Sequence, residues 1–516
     1  MQAQDDRDHI DFTKMKTTIL DLPSELIASI VAYLPDKDVF ATRQANSQLE
    51  RASLSHFGKR FFRKKGYMLT TPSLSVLQHI ADHAELRKYV QHVWFNPDLY
   101  TFVHPDCAPD REEMPDPDNP DSLLDLLAPS DRKKYVAYQE CKEDHVLLVR
   151  NCGAKLATVL TEAFAKLPNL ETIGMRRSED HRPWGWSRLR DAVGEDPRVL
   201  GPIPSGPLHF LSGPTRLFIA IINAVAATDT RLRRLYTDAI EIDNIRPDLL
   251  PQEILDKACG SIWYLETNIT KGWLNRRKVA DYTTIQNSSE YGKGLVRLLR
   301  ATSALKEVGL QIFQVRQQSP MEDRDYHDPS LWRRSYSFLC VQQLTSSDVQ
   351  LKHLTRFKLE RIAASPSLLL AFLAPSQACL TSLKLRDVRL VGNERNPRPW
   401  KSIFEFLRDS CPQLDYILLY QLLYHLGSVS FGRDRHIPHP PANADPTTAT
   451  PNPPHGQPVG GEPFKGSKHL TVRVHGKEAV HAKLGDLVEQ HWYHKPTFTL
   501  AMDEELWHTD TSDEEW

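Results

Sequence analysis

The N-terminal part of the chain repeats apolar residues at helical spacing. Asp21-Leu22-Pro23 predicts a helix start, because a proline tolerates the missing backbone donor there. The following residues place five apolar side chains on one wide helical face: Leu26, Ile27, Ile30, Val31 and Leu34. We therefore predict three consecutive helices within residues 17–66, after a polar, disordered segment at 1–16.

Two further helices in this region are indicated by their breaks and caps. Pro35 ends the first helix, and Asp36 is predicted to cap a short second one. Ser47 with Glu50 three residues later predicts a capping box at the start of a third helix. Gly66 is expected to end that helix, since glycine is the usual residue at a helix C-terminus.

A short phrase, Leu-x-x-apolar-x-apolar, recurs at uneven spacing through residues 67–430. Alternation within it places the apolar side chains on one side of a short strand. Each copy follows a helix-like run, which is the pattern of leucine-rich repeats, although the usual Asn or Cys after the strand is missing. The copies are Leu170/Ile173/Met175, Leu232/Leu235/Thr237, Leu305/Val308/Leu310, Leu354/Phe357/Leu359, Leu380/Leu383/Leu385 and Leu414/Ile417/Leu419.

These patterns predict a fold of the α+β or α/β class. Three N-terminal helices precede an irregular, leucine-rich-repeat-like solenoid of helices and short parallel strands at 67–430, with an exposed loop at 104–121. A Pro-rich segment at 431–467 is predicted to be a disordered linker. A small strand and helix at 468–500 and an acidic tail at 501–516 complete the chain.

Composition narrows the class of protein further. The formal net charge of −2 argues against a chain that coats nucleic acid or an anionic membrane. Seven cysteines without a CxxC pair are typical of reduced thiols, and no secretory signal or membrane-length apolar run is present. We therefore expect a cytoplasmic or nuclear protein with neither nucleic acid nor membrane among its partners.

The first predicted helices resemble the F-box motif. The matching residues are Leu22, Pro23, Glu25, Leu26, Ile30, Tyr33, Leu34, Asp38 and Val39. Arg43 and Asn46 also match, whereas Gln44-Ala45 displaces the usual apolar residue and Leu49 replaces a bulky aromatic one. The match covers about a tenth of the chain, and residues 56–95 further resemble the region that follows the F-box in many fungal members.

The resemblance implies a substrate-recognition adaptor. F-box helices dock on a Skp-type adaptor, which binds a cullin with its RING subunit, while the rest of the chain holds an unidentified protein target for ubiquitination. The residues implied in docking are Leu22, Pro23, Leu26, Ile30 and Leu34, with Val39 in support. Docking would bury an apolar face in a partner's groove. The alternative is that this face belongs to the chain's own helical core.

Sequence motifs for catalysis are missing. His79 and His83 have the spacing of zinc ligands, but Ile80 stands where a zincin needs glutamate. Most histidines of the C-terminal third lie in Pro-rich or exposed-looking sequence, and no GxSxG or P-loop occurs. We expect no enzyme activity, no cofactor and no metal. The alternatives are an F-box scaffold outside ubiquitination and an unrecognised hydrolase or metal enzyme within residues 100–500.

Overall fold

A computed structural model describes most of the chain. The described residues are 18–97, 129–176, 182–193, 213–270, 291–313, 335–349, 351–391, 398–424, 427–431, 471–489 and 492–494. The segment 1–16, the loop 104–121 and the tail 501–516 lie outside these residues, as does the linker 431–467 except for its first residue.

The fold is of the mixed α/β class with mostly parallel strands, which confirms the predicted class. The chain divides into two compact units. Unit 1 comprises residues 1–240 and 246–262, and unit 2 comprises residues 241–245 and 263–516.

Unit 1 begins with three helices and continues with alternating strands and helices. Its helices are α1 (Ser24–Ala32), α2 (Asp36–Ala45), α3 (Ser47–Phe62), α4 (Thr71–Asp82), α5 (Pro129–Phe164), α6 (Trp186–Val193), α7 (Gly213–Ala227) and α8 (Gln252–Cys259). Its strands are β1 (Lys64–Met68), β2 (His92–Asn96), β3 (Thr172–Met175) and β4 (Arg234–Ile240).

The four strands of unit 1 pair in parallel in chain order. The second apolar position of the repeated phrase aligns in β3 and β4, where Ile173 pairs with Leu235, and Ile173 also pairs with Val93 of β2 on its other side. All three side chains are buried. The apolar helix α7 is also buried and packs on α5 and α8. No described helix is both long enough and apolar enough to cross a membrane.

Two predictions about the ends of α3 are wrong. Asn46, not Ser47, is the N-cap, because its side-chain oxygen accepts the Gln48 N–H at 2.7 Å. Gly66 does not end the helix, which stops at Phe62. Gly66 instead lies within β1, where a β-carbon would sit 2.1 Å from the ring of Trp94, so the missing side chain makes room for that indole.

A second glycine lets two strands interact across the strand between them. Gly174 lies in β3, and a β-carbon there would be 1.9 Å from the ring of Tyr236 in β4. The ring therefore extends over β3, and its hydroxyl meets Nε2 of His92 in β2 at 2.7 Å. This face of the unit 1 sheet is thus held by contacts between strands that are not neighbours.

A buried histidine in α5 makes the stability of unit 1 depend on pH. His145 is 5% exposed, and burial lowers its pKa from an ordinary value of 6.5 to about 4. A hydrogen bond with the Leu69 backbone and the charge of Asp144 oppose that shift in part. Between these two pH values the unfolded chain binds a proton that the folded chain excludes.

We predict that His145 does not reduce the stability of unit 1 above about pH 6.5. The free energy of unfolding should fall as the pH drops towards 4, where the folded histidine also becomes protonated. The gap between the two pKa values corresponds to roughly 3 kcal/mol. Urea unfolding of the wild type and of His145→Gln at pH 7 and pH 4.5 measures the difference. The variant should lose most of this pH dependence, and equal slopes in the two proteins would contradict the assignment.

Unit 2 continues the alternation of helices and strands. Its helices are α9 (Lys293–Ala301), α10 (Tyr336–Ser346), α11 (Pro366–Leu373), α12 (Lys401–Ser410) and α13 (Lys477–Glu489). Its main strands are β5 (Tyr264–Thr270), β6 (Glu307–Phe313), β7 (Arg356–Glu360), β9 (Ser382–Arg386), β11 (Tyr416–Tyr420) and β14 (Thr471–His475). Its shorter strands are β8 (Ala363–Ala364), β10 (Arg389–Leu390), β12 (Leu423–Tyr424), β13 (Gly427–Ser430) and β15 (Trp492–His494).

The main strands of unit 2 follow one another in parallel from β5 to β11, and only β14 is antiparallel. Apolar positions of the phrase align in register, with Phe357 paired to Val308 on one side and to Leu383 on the other. Neighbouring helices from α9 to α13 pack on one another. Each predicted copy of the phrase coincides with a strand and its buried side chains.

The last three copies of the phrase are followed by the same kind of turn, which the sequence pattern does not predict. The residue after β7, β9 and β11 has a positive φ, of 57° at Arg361, 52° at Asp387 and 48° at Gln421. This left-handed conformation is uncommon outside glycine. Each turn redirects the chain into a short strand, and these strands, β8, β10 and β12, pair in parallel as a second sheet.

Candidate docking surface

The first three helices share one small apolar core. Ile27, Val31, Val39, Leu49 and Phe57 are buried together in it. Leu49 occupies the place of the aromatic residue usual in the motif and still fills the core. The three helices are therefore packed by their own side chains, and they do not need the whole apolar face of α1 for that purpose.

The apolar face of α1 is divided lengthwise. At about 100° per residue, Leu26, Ile30 and Tyr33 fall within one narrow arc, beside the arc that carries the buried core residues. Leu26 is 51% exposed, Ile30 40% and Tyr33 90%. We call these three residues the α1 stripe. Of the predicted face, Ile27 and Val31 therefore belong to the core, whereas Leu26 and Ile30 are apolar surface.

The remaining predicted contact residues lie around this stripe. Pro23 is exposed and immediately precedes α1, where its carbonyl accepts the N–H groups of Leu26 and Ile27. Leu22 and Leu34 are half-buried against the core. Val39 is fully buried, so it supports the helices from within and presents no side chain to a partner.

Two further large apolar side chains near the stripe in sequence are exposed, and sequence reasoning missed both. Ile19 lies in a 3-10 turn before α1, and Phe40 lies on α2 with its ring 4.9 Å from that of Phe61. Five of the eight large apolar side chains that are exposed within the described residues lie in residues 19–40. Exposed apolar side chains concentrated in one short segment suit a protein-binding surface.

Cationic side chains of α2 and α3 fix the frame of this surface. Arg60 donates to the carbonyl of Leu34 at 2.8 Å and forms an ion pair with Asp36, which ties α3 to the α1–α2 junction. Arg43 stands over the ring of Phe57 at 4.0 Å and donates to the Glu50 carbonyl. Burial lowers the pKa of Arg43, and the negative charge of Glu50 opposes part of this shift. The stripe is thus presented on a rigid support.

Among the side chains considered for catalysis, one histidine caps a turn and two cysteines are buried. Nδ1 of His83 accepts the N–H groups of Glu85 and Leu86, so this histidine caps a turn. Burial raises the pKa of the Cys259 and Cys411 thiols to about 12, which keeps them protonated at neutral pH. No group of three metal-ligating side chains occurs in the described ranges.

The sheet of unit 2 presents a polar face that is a second candidate for binding. Nζ of Lys358 in β7 contacts the Glu266 carboxylate in β5 at 2.8 Å, across Gly309 of β6. Burial opposes the charge of Lys358, but Glu266 and Glu360 outweigh it and raise its pKa. Arg356 pairs similarly with Glu307 at 3.5 Å. Fixed, charged side chains therefore line this face.

A scan against protein-family models found no match to the chain, and a search of curated proteins found no similar sequence.

Proposed function

We propose that the three N-terminal helices form an F-box and that the protein is a substrate-recognition adaptor of a Skp–cullin–F-box ubiquitin ligase. The α1 stripe carries the proposal, because it leaves Leu26, Ile30 and Tyr33 exposed beside an already complete helical core. An apolar stripe on a rigid helix suits burial in the groove of a Skp-type adaptor. The resemblance of residues 22–39 to the F-box motif supports a Skp-type adaptor as that partner.

We propose further that the remaining strands and helices form an irregular leucine-rich-repeat-like solenoid. Parallel strands in register, helices that pack in sequence and three equivalent turns support this view. Apolar residues Ile362, Val388 and Leu422 follow the turns and are buried, in the region where such repeats usually carry Asn or Cys.

The proposed mechanism is proximity. The helices dock on the adaptor while the polar sheet face of unit 2 holds a protein target, so that target lysines meet a ubiquitin-charged conjugating enzyme at high effective concentration. This chain forms and breaks no bond in that scheme. Its contribution is the affinity and geometry of two binding surfaces.

Co-purification from cells that express a Skp-type adaptor and a cullin tests the proposal. The wild-type chain should retain both proteins, because the adaptor bridges the chain to the cullin. Retention of the adaptor without the cullin would favour a scaffold that acts outside ubiquitination. A folded chain that retains neither protein would contradict the assignment.

A further inference from the structure

The outer side of α3 carries a row of cations. Arg51, Lys59 and Arg63 follow one another at multiples of four residues, and helical backbone angles continue through Arg63. Ser55 fills the remaining position of the row, and all four side chains are exposed. At about 100° per residue, Ser55 and Lys59 lie about 160° around the helix from Phe57, which packs in the core. We call Arg51, Lys59 and Arg63 the basic ridge, and it faces away from α1 and α2.

The basic ridge has no acidic partner within the described residues. In that part of the chain, the side chains of Arg51 and Lys59 form neither an ion pair nor a hydrogen bond. Nε of Arg63 donates to the side-chain oxygen of Gln91 at 2.9 Å, and that amide is neutral. Glu50 is the only acidic residue of α3, and its carboxylate pairs with an arginine of α2. The positive charge of the ridge is therefore not neutralised from within α3.

Lys65 continues the positive charge two residues beyond the basic ridge. Its ammonium nitrogen lies 5.1 Å from the centre of the Phe62 ring and 5.5 Å from that of the exposed Trp184. No carboxylate among the described residues pairs with this ammonium, and burial lowers its pKa. Lysines are rarely taken out of water without such a partner. A carboxylate from outside the chain would stabilise the charged form, and Lys65 is only half-buried.

The dipole of α3 explains only part of this charge. Cations suit the negative end of a helix, which accounts for Lys59 and Arg63. The effect falls off within the last turn, whereas Arg51 lies about three turns before the end of α3. Arg60 already places a cation at that end, where it pairs with Asp36. The length of the ridge therefore points to a ligand and not to the helix alone.

We propose that the basic ridge and Lys65 bind an acidic segment of a protein partner, on a surface separate from the α1 stripe. The ridge is about 18 Å long, and Lys59 and Arg63 stand about 6 Å apart along the helix axis. Carboxylates on one side of an extended chain repeat about every 6.6 Å, so an acidic strand matches this spacing.

The number of cations favours a protein segment over nucleic acid. Surfaces that bind nucleic acid commonly contact roughly 6–10 phosphates, more than these four side chains can serve. A short acidic segment needs only three or four carboxylates to neutralise the same surface. Ion pairs between a carboxylate and an arginine also gain from the two parallel hydrogen bonds that a guanidinium offers.

Carbodiimide cross-linking to an acidic peptide locates the contact. The probe is a fluorescein-labelled peptide of alternating glutamate and serine, about ten residues long, which spans about 30 Å when extended. The reagent joins amines to carboxylates that touch, and mass spectrometry of the full chain identifies the joined lysines. We expect Lys59 and Lys65 to couple, and the coupling to disappear in 1 M salt, where charges are screened beyond about 3 Å. Coupling spread evenly over the exposed lysines would overturn the proposal.

Neutralising the basic ridge should weaken binding of the same peptide at least about tenfold, as measured by fluorescence anisotropy at low salt. The ridge variant of the full chain carries Arg51→Gln, Lys59→Gln and Arg63→Gln, all at exposed positions. The control variant loses the same charge from three exposed cations of unit 1 that already pair with acids: Lys88→Gln, Lys166→Gln and Arg190→Gln. The control should bind the peptide as the wild type does.

Circular dichroism confirms that each variant is folded. A folded ridge variant that binds the peptide as tightly as the control variant would overturn the binding surface. Tighter binding of an oligothymidylate of equal length than of the peptide would overturn the class of partner in favour of nucleic acid.

The adaptor serves as a second readout of the ridge variant. This variant should still retain a Skp-type adaptor, because the basic ridge faces away from α1 and none of its residues lies within 19–40. Loss of the adaptor from the folded variant would make the ridge part of the docking surface and overturn a separate site. Failure of the wild type to retain the adaptor would contradict the F-box assignment and leave the peptide measurements unaffected.

Discussion

Replacing both Leu26 and Ile30 by aspartate should abolish binding to a Skp-type adaptor and leave the three N-terminal helices folded. Both side chains are exposed on the α1 stripe, so the substitutions remove no buried contact from the core. Central apolar anchors of an interface commonly contribute about 1–4 kcal/mol each. Two such losses, together with two carboxylates forced against an apolar groove, should weaken binding at least about a hundredfold.

The adjacent core residues of α1 provide the matched control. Ile27→Asp with Val31→Asp makes the same chemical change one residue further along, but on side chains that are fully buried. A buried, unpaired carboxylate is strongly unfavourable, so this variant should unfold the three helices. Calorimetric titration with the adaptor and circular dichroism together separate the two effects.

The outcomes are sharply different. If the folded Leu26/Ile30 variant binds the adaptor as the wild type does, the α1 stripe is not the docking surface. If that variant unfolds as the Ile27/Val31 variant does, the stripe belongs to the core of this chain, which is the alternative that the apolar pattern left open.

The buried and exposed parts of the α1 apolar face show what residue spacing alone can predict. Spacing placed Leu26, Ile27 and Ile30 on one apolar face, and the helix is formed there. It could not say which part of that face packs inward, because Leu26 and Ile27 are neighbours of similar hydrophobicity. Val39 and Phe57 determine which side of α1 packs inward, and those residues come from other helices. Tertiary packing is the information that a local pattern lacks.

The strands likewise divide into those that the local sequence pattern predicts and those that it does not. Each LxxLxL-type phrase coincides with a strand, since alternation is local and the buried row needs apolar side chains. The pattern missed β5, where Ile262 and Thr267 take the leucine positions. It also missed β8, β10 and β12, because residues such as Arg361 make their turns without glycine. Neighbouring strands hold these turns through hydrogen bonds such as Arg361 N–H to the Arg386 carbonyl.

The largest loss of stability in unit 2 is expected from Asp243→Ala. The two oxygens of this carboxylate accept the N–H groups of Gly292 and Gly294 at 2.7 Å each, and Oδ2 also accepts the Tyr336 hydroxyl at 2.8 Å. Asp243 thus caps the N-terminus of α9 from about fifty residues away and ties α10 to the same point. A carboxylate at that end also suits the positive end of the helix dipole.

Removal of the carboxylate leaves three donors without their acceptor, and each such loss costs about 1–3 kcal/mol. We therefore expect Asp243→Ala to lower the free energy of unfolding by at least about 3 kcal/mol. Asp243→Asn should cost less, because one oxygen remains as an acceptor, and Tyr336→Phe should cost about 1 kcal/mol. Urea unfolding measures all three losses, and amide exchange at Gly292 and Gly294 should accelerate in the alanine variant.

Asp248→Ala provides the control, because Asp248 pairs with Arg246 on the surface and should be replaceable without a measurable change. If Asp243→Ala proved as harmless as Asp248→Ala, the cap would be dispensable, and the order of α9 would have to come from its packing alone. If Asp243→Asn proved as damaging as Asp243→Ala, the charge rather than the hydrogen bonds would hold this end of the helix. The expected ranking, alanine worst and phenylalanine at Tyr336 mildest, follows only if several donors share the one carboxylate.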